Sequence, residues 1–128
     1  MRFLLDTHTL LWSLVDSPSL TPRSRRVIED VSNDLMVSAV SAWEIATKAR
    51  LGKLPSGEVL TADLDRYLAQ LRCEALPISL DHAVQAGKLP GEHRDPFDRM
   101  LIAQAHAENL AIISNDRIFD TYHVQRIW

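Results

Sequence analysis

The stretch Arg2-Phe3-Leu4-Leu5-Asp6-Thr7-His8-Thr9-Leu10-Leu11-Trp12 decides the reading of the whole chain. Its apolar run is too short for a helix, ends on an acid, and gives way almost at once to a helical pattern over residues 9–15. A short apolar strand followed closely by a helix is the first half of a β-α unit. The same alternation recurs downstream, with candidate strands at 35–37, 75–78, 110–113 and 124–127. Helical patterns lie between them. Thr21-Pro22 reads as an N-cap with proline in the first turn, ahead of Val27, Ile28 and Val31. Ser38 or Ser41 can cap the next helix, in which Ala42, Ile45, Ala46 and Ala49 recur at helical spacing and Gly52 is the stop. Leu64, Leu68 and Leu71 mark a fourth helix, Ser79 caps a short fifth, and Asp95-Pro96 opens a sixth that Asn109 ends. The expected fold is α/β, three layers with a mainly parallel five-stranded sheet between helices, formed by residues 1–128 as one domain.

Composition agrees. The 128 residues are 46% hydrophobic and 24% charged, which excludes a disordered, collagenous or disulfide-stapled chain. A single cysteine, Cys73, can form neither an intrachain disulfide nor a cysteine zinc cluster, and points to a reducing compartment, the cytoplasm by default. No apolar run approaches the ~20 residues that span a bilayer, and Asp6 and His8 interrupt any leader-like core. A net charge of −3 argues against binding nucleic acid by bulk charge.

In a parallel sheet, ligands bind along the edge formed by the strands' carboxyl ends. Asp6 closes the first strand, Glu44 follows the second, Asp116 follows the fourth, and Asp98 lies in the first turn of a helix whose amino end reaches the same edge. Four carboxylates meeting there would repel one another unless a cation sat among them. All-oxygen ligands favour Mg²⁺ or Mn²⁺, ions that share phosphate oxygens with a substrate and assist phosphodiester hydrolysis. Each acid also has a plainer reading. Ser41-Ala42-Trp43-Glu44 is a capping box, Asp95 and Asp98 suit the positive end of a helix dipole, and Asp116 suits a turn. Asp6 is different, because an unpartnered charge at the mouth of a buried strand is costly.

Four segments carry a resemblance. Phe3-Leu4-Leu5-Asp6-Thr7-His8, Ser38-Ala39-Val40-Ser41-Ala42-Trp43-Glu44-Ile45-Ala46, His93-Arg94-Asp95-Pro96-Phe97-Asp98-Arg99-Met100-Leu101-Ile102-Ala103-Gln104-Ala105 and Ser114-Asn115-Asp116-Arg117 resemble, in order and spacing, the PIN-domain family, and within it the VapC-type toxins of prokaryotic toxin–antitoxin pairs. The resemblance implies a metal-dependent endoribonuclease that cleaves structured RNA, with Asp6, Glu44, Asp98 and Asp116 holding Mg²⁺ or Mn²⁺. It also implies a cognate antitoxin whose tail silences the site, and a homodimer. Asp95 is read as a helix cap or as a group touching a metal-held water. The alternative is a PIN-like module that binds protein or RNA without cutting it.

Other residues are placed around this set. His8 and His93 flank the proposed ligands and either contact phosphate or bond within loops; no histidine pair has zinc-site spacing. Lys48, Arg94 and Arg99 either position phosphates or belong to a solvated face, as do Arg50 and Lys53. Trp12, Trp43 and Trp128 read as core or interface. The apolar helix over residues 9–15 is a surface for a partner's amphipathic segment. Setting aside the four candidate ligands leaves 13 acids against 14 bases, so the acidity is concentrated at one site.

Overall fold

The computed structural model describes residues 1–128. Its elements run β1 (Arg2–Leu5), α1 (Thr7–Leu14), α2 (Pro22–Glu29), β2 (Asp34–Ser38), α3 (Ala39–Arg50), α4 (Gly57–Ala62), α5 (Leu64–Gln70), β3 (Cys73–Leu76), α6 (Leu80–Lys88), α7 (Pro96–Ala107), β4 (Ala111–Ile113), α8 (Ile118–Thr121) and β5 (Arg126–Ile127). The five strands form one sheet in the order β3-β2-β1-β4-β5, and every pairing is parallel. The strand order reverses at β1, which lies between β2 and β4, so the crevice outside the carboxyl ends of β1 and β4 is the switch point where such folds bind ligands.

Successive residues of a strand face opposite sides, and the two faces of β1 are both buried. Phe3 and Leu5 pack with Leu35, Val37 and Ile113 beneath Leu10 of α1, Ile28 of α2, Ile45 of α3 and Leu68 of α5. Leu4 and Ile112 face the other way, under Leu101, Ile102 and Ala105 of α7 and Phe119 of α8. Helix α3 serves both layers, with Val40 in the second cluster and Ile45 in the first, and so passes over the site edge of the sheet. No helix is long and apolar enough to cross a membrane.

Several expected boundaries move. Helix α1 starts at Thr7, two residues before the expected start, because Asp6 caps it by accepting from the Thr7 N–H. β3 pairs through Cys73–Leu76 and not through 75–78, since its register aligns Leu35 with Cys73 and Ser38 with Leu76. Val31 lies beyond the end of α2 and is exposed. The short helices α4 and α8 were not expected at all. Of the two candidate caps for α3 it is Ser38 that accepts from the Val40 N–H, and Ser41 is buried inside the helix. Gly52 stops α3 at φ +73°, and Asn109 follows α7 at φ +54°, the left-handed turn that closes a helix.

Candidate functional site

Asp6 stands at the switch point. Its N–H donates to the Ile113 carbonyl, continuing the β1–β4 ladder by one residue, and its side chain is 6% exposed. Both carboxylate oxygens are occupied: Oδ1 accepts from the Thr7 N–H at 2.8 Å and Oδ2 from the Ser114 hydroxyl at 2.7 Å. Burial raises the pKa of this carboxyl, against the pull of the Ser114 and Thr7 hydrogen bonds and of nearby His8, while the charge of Glu44 raises it further.

Glu44 is 7% exposed and lies in the body of α3, well past its Ser38 cap, so the capping-box reading fails. Oε1 accepts from the Thr7 hydroxyl at 2.7 Å, and Oε2 from Lys48 Nζ at 2.5 Å, one turn along the helix. A hydroxyl has one proton to give, so with Thr7 donating to Glu44, the Ser41 hydroxyl donates to Thr7 Oγ1 at 2.9 Å. The result is a buried relay from Ser41 through Thr7 to Glu44, with Thr7 also touching Asp6 through its N–H.

Asp98 enters from the other layer. The Asp95 carboxylate caps α7, accepting from the Phe97 and Asp98 N–H groups, and so fixes the turn that carries Asp98. Asp98 Oδ2 meets His93 Nε2 at 2.8 Å. Its pKa is pushed up to about 6, first by burial and then by the charges of Asp95 and Asp6, with His93 opposing both. The charge of Asp6 bearing on Asp98 is the clearest sign that acids 92 residues apart lie at one edge of the fold.

The strap carrying His93 is itself anchored. Arg99 donates to the His93 carbonyl at 2.8 Å and also to the Leu89 carbonyl, and Tyr122 Oη accepts from the His93 N–H at 3.3 Å. Gly91 has φ +96° against the Tyr122 ring, where a Cβ would come within 2.4 Å of its hydroxyl. Arg99 is thus a clamp on the strap, whereas Arg94 is exposed and bonded to nothing.

Asp116 sits at the same edge but apart. It is exposed, its Oδ1 accepts from the Ile118 N–H in the turn into α8, and its N–H donates to the Ser114 hydroxyl that holds Asp6. The structure therefore brings Asp6, Glu44 and Asp98 toward one another and leaves Asp116 at the rim. No three carboxylate, imidazole or thiol groups converge on a common ligating point. The donor chemistry nevertheless fits a hard divalent cation. The groups are all oxygen donors, and burial raises the pKa of Asp6 and Asp98, a penalty on their charged forms that a cation would relieve.

Sequence reasoning passed over Thr7, Ser41 and Ser114, the hydroxyls that hold these acids. The available signal was positional, since Ser114 lies one residue beyond the Leu5–Ile113 register pair, opposite Asp6. Trp12 and Trp128 are half-buried against each other, whereas Trp43 is 58% exposed and meets Phe97 edge-on at 4.9 Å, so of the core and interface readings only the second stays open for Trp43.

The fold, with acids gathered at the switch point of a parallel sheet, defines a class. Residues 3–124 match the PIN domain, and the chain belongs to the PIN-domain family. Among curated proteins it is similar to Ribonuclease VapC16 of Mycobacterium tuberculosis (strain ATCC 25618 / H37Rv), 43% identical over 60 residues, which is 47% of this chain; the match spans about two fifths (41%) of that relative. Solved structures share the fold at low identity. A chain in VapBC2 from Rickettsia felis, bound to a DNA fragment from its promoter, superposes with TM-score 0.70 at 19% identity, covering 99% of this chain and 98% of that one. VapBC-1 from nontypeable Haemophilus influenzae gives 0.67 at 17%, covering 99% and 97%. FitAcB from Neisseria gonorrhoeae gives 0.60 at 22%, covering 98% and 96%.

Proposed function

We propose that this chain is a divalent-metal-dependent endoribonuclease and the toxin of a toxin–antitoxin pair, with Asp6 and Asp98 as principal ligands of Mg²⁺ or Mn²⁺ and Glu44 and Asp116 completing the set. The observation that carries the reading is the placement of buried Asp6 and part-buried Asp98 within electrostatic reach at the sheet's switch point. The relative named as a ribonuclease supports the reaction class. When bound, a divalent cation would offset charge on the scissile phosphodiester and assist in-line attack by water.

The chain's own residues prepare for this. Ser114 and the Thr7 N–H fix both oxygens of Asp6, the Thr7 hydroxyl orients Glu44, and His93 holds Asp98 and can exchange a proton at Nε2. Lys48 pairs with Glu44, and where a cation takes over that charge its ammonium is free to meet a substrate phosphate. Arg94 is exposed for the same task. Arg99 acts through the strap that it clamps.

The antitoxin reading is supported by a cavity of about 610 Å³ between α1, α3 and α4, lined by Leu11, Trp12, Leu14, Val15, Leu54 and Val59 among others and opening at Lys48 beside Glu44. An amphipathic helix laid there would reach the acids with its end. One structure of the same fold, at 17% identity, is a toxin–antitoxin complex from Klebsiella pneumoniae. A homodimer is supported by Leu80 and Val84, exposed apolar residues one turn apart on α6. A reducing, cytoplasmic setting is supported by Cys73, free and buried.

A second reading, a PIN-like module that binds without cutting, is favoured by one observation: Glu44 and Asp98 are already engaged by Lys48 and His93, with no converged ligand set. Incubation with transfer and ribosomal RNA in Mn²⁺, with an EDTA control, separates the two. Cleavage that EDTA abolishes supports the nuclease; tight partner or RNA binding with no cleavage supports the module.

A further inference from the structure

Next to Asp116 lies an open cavity of about 440 Å³, lined by His8, Trp12, Asn115, Asp116 and Arg117, between α1 and the turn that leads from β4 into α8. It shares His8 and Trp12 with the apolar groove beside α1, but its remaining lining, Asn115, Asp116 and Arg117, is polar. His8 and Trp12 are one turn apart on α1, with ring centroids 5.5 Å apart, and Trp12 is braced from behind by Trp128 at 5.7 Å. That makes a supported aromatic face in a wet setting. Asn115 is exposed, and its side-chain amide makes no hydrogen bond within the chain. Arg117 is exposed and has no ion pair, in contrast to nearby Arg126, which is committed to Asp120 and the Ser114 carbonyl. The cavity adjoins the acids, since His8 lies close enough to influence the Asp6 carboxyl and Asp116 is joined to Asp6 through the Ser114 hydroxyl.

We propose that this cavity is a nucleotide seat of the RNA substrate, one residue from the scissile bond, in which the base stacks on Trp12 and His8, Asn115 reads its edge and Arg117 takes its phosphate. The proposal rests on the ribonuclease reading for its place in a reaction, but not for its binding chemistry. Base stacking on aromatic rings is sequence-tolerant. Discrimination therefore falls to Asn115, whose amide can both donate to and accept from adenine in a bidentate pair. The seat takes unpaired nucleotides, because a paired base has neither a free face nor a free edge.

Binding of fluorescently labelled oligo(rA) and oligo(rU) dodecamers to the full chain, measured by anisotropy in EDTA, tests this without requiring cleavage. The wild type should bind oligo(rA) more tightly than oligo(rU). Asn115→Ala should lose that preference, roughly tenfold on oligo(rA) with little change on oligo(rU). Arg117→Ala should weaken both by a similar several-fold factor and flatten the salt dependence. Both positions are exposed and leave the core intact. The proposal is overturned if neither substitution changes binding, or if the wild type binds neither dodecamer. Loss of the nuclease reading alone would show as binding that behaves as stated with no cleavage in Mn²⁺.

Discussion

At the scale of residues, burial raises the pKa of the Asp6 and Asp98 carboxyls at the switch point. The folded Asp98 carboxyl has its pKa raised from 3.8 to about 6, so between those values the folded chain holds a proton that the unfolded chain releases. Its contribution to stability therefore grows as pH falls from neutral through 6, and levels off below the unfolded value. In EDTA, wild type should be less stable relative to Asp98→Asn at pH 7.5 than at pH 5; urea unfolding at the two pH values checks this, and an unchanging gap would refute it. Thr7→Val tests the hydroxyl relay. It leaves a buried Glu44 oxygen without its donor and should cost about 1–3 kcal/mol in the same assay. Asp6 was legible as a site residue because its apolar neighbours announce a buried strand. Glu44 was ambiguous, since a serine three residues earlier mimics a capping box and only the real cap at Ser38 removes that reading. The roles of Thr7, Ser41 and Ser114 were hidden because hydroxyl residues are ordinary in any sequence, and Ser114 meets Asp6 only through the β1–β4 register.

At the scale of elements, the site depends on the strap from Leu89 to Asp95 as much as on any helix. Gly91 adopts a positive φ against Tyr122, so Gly91→Ala meets both backbone strain and a clash. Thermal unfolding should report a loss of about 1–3 kcal/mol, and displacement of His93 should weaken metal binding at Asp98 as well; a variant as stable as wild type would show that the strap tolerates another path. The Asp95 cap predicts a smaller effect, since Asp95→Ala should cost about 1 kcal/mol through the first turn of α7. Helices with strong caps were readable, as α2, α6 and α7 are by Thr21, Ser79 and Asp95. Helices α4 and α8, of six and four residues, are shorter than the window in which a helical period can be seen. The edge strand β3 was displaced because its pairing with β2, not its own hydrophobicity, sets its limits.

At the scale of the whole molecule, alternation of strands and helices was enough to read a parallel sheet but not the order β3-β2-β1-β4-β5, which is decided by which strands can bury both faces. That order puts β1 at the switch point and brings Asp98, from the opposite layer, to Asp6. A folded state that stores carboxylate repulsion should be stabilised by a cation that only it can bind, by about 2.7 kcal/mol at a hundredfold excess over Kd. Mn²⁺ should therefore raise the melting temperature at pH 7.5, less so at pH 5 where Asp98 holds its proton, and hardly at all in Asp98→Asn. The most direct test of the account is RNA cleavage in Mn²⁺ by wild type and by Asp6→Asn, a change that removes a ligand charge and nearly keeps its shape. With folding verified by melting, the account predicts cleavage by the wild type and a loss of at least about a hundredfold in the variant. Cleavage by Asp6→Asn at the wild-type rate would contradict it.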